Sequence, residues 1–183
     1  MTQLPWIPIL VALTAASVAA VTDIWRFRVY NVLTFPLMAC GLIYHSAATG
    51  YQGFTASCLG LMFGLAVLLL PYVMGLMGAG DVKLLAGVGA WLGLGPTVVV
   101  FVVSSLVAGV YATVLILYRG NISHSVAVLK LIFYRTAALG VQFGRDDLIE
   151  SFAIQSDRRL RLIPYGAMIP LGVIGAMVWA NWQ

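Results

Sequence analysis

Six acidic side chains occur in the 183 residues, and two of them stand where a carboxylate is costly. Asp146, Asp147, Glu150 and Asp157 lie in a polar stretch, whereas Asp23 and Asp81 adjoin long apolar runs. An ionised carboxylate at mid-bilayer costs about 2.5–3.5 kcal/mol on insertion scales, so such groups face a bundle interior or a wet cavity and commonly do chemistry. Two carboxylates that share a site cannot both ionise cheaply. One keeps its proton as the acid, while the other acts as base toward a water. The chemistry open to such a pair is hydrolysis of a peptide bond, without metal or covalent intermediate.

Taken singly, each residue also has an ordinary reading. Asp23 could be a solvated residue at the end of its run, beside Arg26, and Asp81 could be the N-cap of a helix that begins VKLLAGVGAWLG. Gly78 and Gly80 remove side chains just before Asp81, which permits a helix break and the close approach of a substrate backbone, or simply tight helix packing. Lys83 could bias the pair toward ionisation or meet a substrate carbonyl, and it could equally anchor a helix at the membrane interface. His45 and His124 are isolated. Cys40 and Cys58 fall in apolar runs without CxxC spacing, so they are read as packing residues and no metal site is expected.

The elements that must position these groups are set by composition. The chain is 62% hydrophobic and 9% charged, against about 25% charged residues in soluble domains. Apolar segments are read at about 5–22, 32–49, 54–76, 82–94, 96–118 and 163–181, with Gly and Pro at their ends. The expected fold is all-α: a polytopic membrane bundle of about six transmembrane helices in a single domain, 1–183. The fourth segment is short, because thirteen residues make only about 20 Å of helix. Six crossings with the N-terminus outside put all ten Lys and Arg on the cytoplasmic side, in accord with the positive-inside rule, and leave both termini outside. The run from Pro5 to Val21 is not read as a secretory signal, since MTQLPW carries no positive charge and Arg26 and Arg28 follow it. The connection at about 119–162 is cytoplasmic, and SVAVLKLIFYRTAALGVQF within it reads as an interfacial helix. A pI near 9.3 comes without a basic stripe interleaved with aromatics, so no nucleic-acid partner is expected.

The string Gly78-Ala79-Gly80-Asp81-Val82-Lys83-Leu84 resembles the signature of the type IV prepilin peptidases, membrane aspartic proteases of the GxGD kind. Asp23 followed by Arg28 and Asn31 is similar to that family's first-aspartate segment, and Ile163-Pro164-Tyr165-Gly166 to the opening of its last helix. Tyr30 departs from the pattern, in which proline often precedes the asparagine. The resemblance implies that Asp23 and Asp81 are the catalytic pair, supported by Gly78, Gly80, Lys83, Arg28, Asn31, Pro164 and Tyr165. It implies no cofactor. The implied substrate is a prepilin whose basic leader stays cytoplasmic and is cut at the cytoplasmic face of the inner (plasma) membrane. Longer family members carry paired CxxC motifs and an N-methyltransferase activity. Nothing here matches that region, and the likeness is to the short, peptidase-only form associated with Flp/Tad-type pili, the first choice, or with archaeal preflagellin processing.

Other classes predict different behaviour. A proton- or ion-coupled transporter would also place carboxylates beside glycine-broken helices, although no internal inverted repeat is seen. A noncatalytic subunit of a secretion apparatus would tolerate Asp81→Asn. The cluster Asp146, Asp147 and Glu150 either attracts a basic leader or is a solvated charge run.

Overall fold

A computed structural model of the chain describes residues 6–26, 30–73, 77–119 and 165–182, and every regular element among them is helical. In order these are α1 (Trp6–Arg26), α2 (Asn31–Val73), α3 (Ala79–Leu92), α4 (Leu94–Arg119), a 3₁₀ turn (Tyr165–Ala167) and α5 (Ile169–Asn181). The connection at about 119–162, with its expected interfacial helix and acidic cluster, lies outside the described residues.

In α1, small residues recur at helical spacing. Ile9, Ala12, Ala16 and Ala19 share one buried face, which lets neighbouring backbones come close. The opposite side carries Leu10, Val18 and Val21, each more than half exposed. Apolar side chains bare to this degree along a helix belong in a lipid solvent rather than water.

Hydrogen bonding makes α2 one element of 43 residues, but Gly50 interrupts it at φ 63°, ψ −138°, a conformation open essentially only to glycine. Contacts along α3 show what that interruption does. On the first arm, Leu37 lies over Gly87, Gly41 meets Ala90, and the His45 Nε2–H donates to the Trp91 carbonyl (2.8 Å). On the second arm, Ser57 meets Ala90, Gly60 meets Gly89, and Gly64 meets Leu85 and Ala86. Residue numbers rise together along the first arm and run oppositely along the second. One arm is therefore parallel to α3 and the other antiparallel, so α2 is a hairpin that reverses at a single residue. The sequence placed the gap between these segments at 50–53; the backbone needs only Gly50.

α3 fills the groove between the arms, and eleven of its fourteen residues are buried. At about 21 Å it is shorter than the hydrocarbon layer, and it survives because its neighbours, rather than lipid, surround it. Hydrogen bonds to both arms fix its C-terminal end. The Trp91 indole N–H donates to the Leu37 carbonyl (2.8 Å), and the Ser57 hydroxyl donates to the Ala90 carbonyl (2.6 Å). Gly93 (φ 78°) then turns the chain into α4.

α4 pairs with α5 in antiparallel fashion, Gly172 meeting Val100 and Ser104, and Gly175 meeting Val103. Leu94–Leu115 of α4 (mean hydropathy 2.4), Trp6–Asp23 (1.7) and Asn31–Val73 (2.1) are each apolar and long enough to cross a bilayer. α1 ends three residues beyond Asp23 and α3 begins two before Asp81, whereas α4 continues to Arg119. One expectation fails here. Cys40 is exposed on the outer side of α2 and packs in no core, because Gly41 takes the place facing α3.

Candidate active site

Each of three elements contributes one residue to a common point. The buried face of α1 that runs through Ala12, Ala16 and Ala19 reaches Asp23 one turn later, so the carboxylate enters the bundle by helical periodicity alone. Asp81 enters from the first turn of α3. Both are buried, at 6% and 8% exposure, which rules out the solvated-boundary reading of Asp23. The N-cap reading of Asp81 also falls, since the N-cap is Gly78, in extended conformation (φ −82°, ψ 147°), with its carbonyl accepting the Asp81 N–H (3.1 Å). Asp81 sits instead three positions in, where the positive end of the α3 dipole favours a carboxylate.

The third contributor is Gly166, in the turn ahead of α5. A β-carbon built on it would lie 2.9 Å from Asp81 Oδ1 and 3.0 Å from Asp23 Oδ2. Both oxygens are therefore within reach of one point, and they can be no farther apart than twice that distance. Only a residue without a side chain lets the turn come so near.

The supporting residues gather around this point in part. Lys83 Nζ donates to Asn31 Oδ1 (2.9 Å) and lies over the Phe35 ring, 5.0 Å from its centroid, tying α3 to the start of α2. Tyr165 is buried, with its hydroxyl 3.4 Å from Ser105 Oγ on α4 and its phenol within the electrostatic field of Asp81. Gly78 is buried at the N-cap of α3, and Gly80 is half-buried within its first turn. Arg28 and Pro164 lie outside the described residues. A hollow of about 250 Å³ beside the end of α1 is lined by Val21, Thr22, Trp25 and Tyr30. Among the described residues no carboxylate lines it, so it is distinct from the point at Gly166 where the acids meet.

In the sequence Gly166 stood out only as the end of the Ile163-Pro164-Tyr165-Gly166 string, with no role of its own, and Ser104 and Ser105 not at all. The signals were present: a glycine directly after the tyrosine that opens the last apolar segment, and two adjacent hydroxyls in an otherwise apolar run from Val98 to Val110.

Comparison with known proteins bears on this arrangement. A profile of the type IV leader peptidase family matches residues 10–113, which include both aspartates and all of α2, α3 and the α3–α4 junction. Two curated relatives, both called prepilin leader peptidase/N-methyltransferase, come from Aeromonas salmonicida, one of them from strain A449. Each is 36% identical to this chain over 107 residues, which is 54% of this chain and 36% of the relative. The match thus spans about a third of the length of those relatives. No solved structure matches.

Proposed function

The chain belongs to the type IV leader peptidase family, and on that premise we propose that it is a membrane aspartic endopeptidase in which Asp23 and Asp81 share one proton. The observation that carries this reading is the convergence of both carboxylates on Gly166. In the proposed reaction the ionised carboxylate takes a proton from a water as its oxygen attacks the scissile carbonyl carbon. The protonated partner gives its proton to the carbonyl oxygen, forming a tetrahedral diol. Collapse breaks the C–N bond and returns a proton to the departing amine. Burial strengthens the coupling between the acids, which holds one protonated beside an ionised neighbour.

The substrate class follows from the family: a prepilin, cut between its leader and its apolar segment. We place the site at the cytoplasmic face of the inner membrane. The support is that Asp23, Asp81 and Gly166 stand at the ends of their helices nearest the basic residues Arg26, Arg28, Lys83 and Arg161. Six crossings are proposed on the hairpin form of α2, whose arms of roughly 28 and 34 Å can each span the hydrocarbon. Residues 1–183 are proposed as a single membrane domain. The proposal is confined to the peptidase and extends to no methyl transfer, while the transporter alternative gains nothing from the comparisons.

The test is purified protein in detergent with a prepilin-like peptide, comparing the parent with Asp23→Asn and Asp81→Asn. Both variants should lose cleavage while keeping the parent's elution volume. Cleavage retained by either removes that residue from the pair, and no cleavage by the parent removes the assignment.

A further inference from the structure

Midway along α4, between the apolar runs Val98–Val103 and Leu106–Val110, two adjacent serines face the start of α5. Ser104 is buried, and its hydroxyl donates to the Met168 carbonyl (3.3 Å). Ser105 is half-buried and shares a hydrogen bond with the Tyr165 hydroxyl (3.4 Å). The two contacts grip opposite ends of one turn, which the Met168 N–H closes on the Tyr165 carbonyl (2.9 Å). Gly166, between those ends, is the residue that meets both carboxylates. In an apolar bundle a hydroxyl has few alternative partners, so even long hydrogen bonds of this kind fix where an element sits.

We propose that Ser105, with Ser104, is a positioning residue of the carboxylate pair: α4 holds the Tyr165–Ala167 turn at the height that keeps Gly166 between Asp23 and Asp81. The role given to the serines is one of positioning. They act through the turn. The inference rests on the peptidase reading for its effect on rate, and on geometry alone for its effect on distance.

The two can be tested separately. The β-carbon position of residue 166 is 3.3 Å from Asp23 Cγ, close to the Cβ-to-sulfur separation across a disulfide. A chain carrying Cys40→Ser, Cys58→Ser, Asp23→Cys, Gly166→Cys and Asp81→Ala, the last to make room for the new β-carbon, should cross-link internally under mild oxidation, read as loss of maleimide labelling. Adding Ser105→Ala should slow cross-linking at least fivefold, and adding Ser105→Thr should leave it near the starting rate. In the otherwise unaltered chain, Ser105→Ala should lower kcat about tenfold with KM within twofold, and Ser105→Thr should restore it. Cross-linking that ignores Ser105→Ala overturns the proposal even if the parent cleaves its peptide. Cross-linking that slows while the parent fails to cleave upholds the positioning role and rejects the peptidase. A Ser105→Thr variant as impaired as Ser105→Ala also counts against it, since the hydroxyl would not be what matters.

Discussion

Gly166 and Asp81 stand so close that a single added carbon on the glycine would press on the carboxylate, 2.9 Å from Oδ1. The backbone of Gly166 is not in the left-handed region, so alanine there meets no conformational penalty and its effect is purely steric. Gly166→Ala should lower kcat for a prepilin-like peptide at least tenfold with an unchanged thermal midpoint in detergent, and Gly166→Val should abolish turnover. An alanine variant at full activity would mean that the turn does not pack on the acids during catalysis.

The seal at the far end of α3 should matter for stability and not for chemistry. Trp91→Phe leaves the Leu37 carbonyl without its indole donor, and Ser57→Ala does the same to a contact at Ala90. Each should destabilise the bundle by about 1–2 kcal/mol. Unfolding in mixed micelles measures the loss, and per-molecule activity of the folded fraction should remain that of the parent.

Glycines in this chain divide by backbone and by space. Gly50→Ala forces an L-residue into φ 63°, ψ −138° and should cost about 1–3 kcal/mol, with the hairpin of α2 as the part that loosens. Gly109→Ala, on a helical stretch of α4 with nothing within 4 Å of a β-carbon, should be neutral or stabilise by up to about 1 kcal/mol. Equal effects at the two sites would reject the hairpin geometry.

Lys83 and Asn31 should behave as one unit. Lys83→Met and Asn31→Ala each break the same 2.9 Å hydrogen bond, so the double variant should be little worse than either single one. A coupling of about 0.5–1.5 kcal/mol in a double-mutant cycle on stability is expected. Strict additivity would instead make Lys83 an independent interface anchor.

Much of this architecture was legible because membrane helices announce themselves by apolar length. Five segment readings fall within a few residues of α1, both arms of α2, α3 and α4, and the sixth overlaps the turn and α5. The site was legible where a residue type was itself anomalous: a carboxylate beside an apolar run needs explaining, and Asp23 and Asp81 did. The arm directions around α3 are those that alternating crossings require, but the residues that meet across the helices were hidden, since Gly41 looks no different in sequence from Gly109. Gly166 was hidden for a related reason. A glycine records a close approach without naming what approaches it, and the neighbours here come from helices 85 and more residues earlier in the chain.

From Ser105, level with the turn that bears Gly166, α4 runs on through Arg119 for about another 21 Å at 1.5 Å per residue. Among the described residues, α4 thus reaches past the level of the acids, with Leu106, Val110, Val114 and Leu117 bare along it. For the peptidase proposed, a peptide that comes alongside this stretch must arrive unwound, because an intact helix hides its carbonyl carbons behind its own hydrogen bonds.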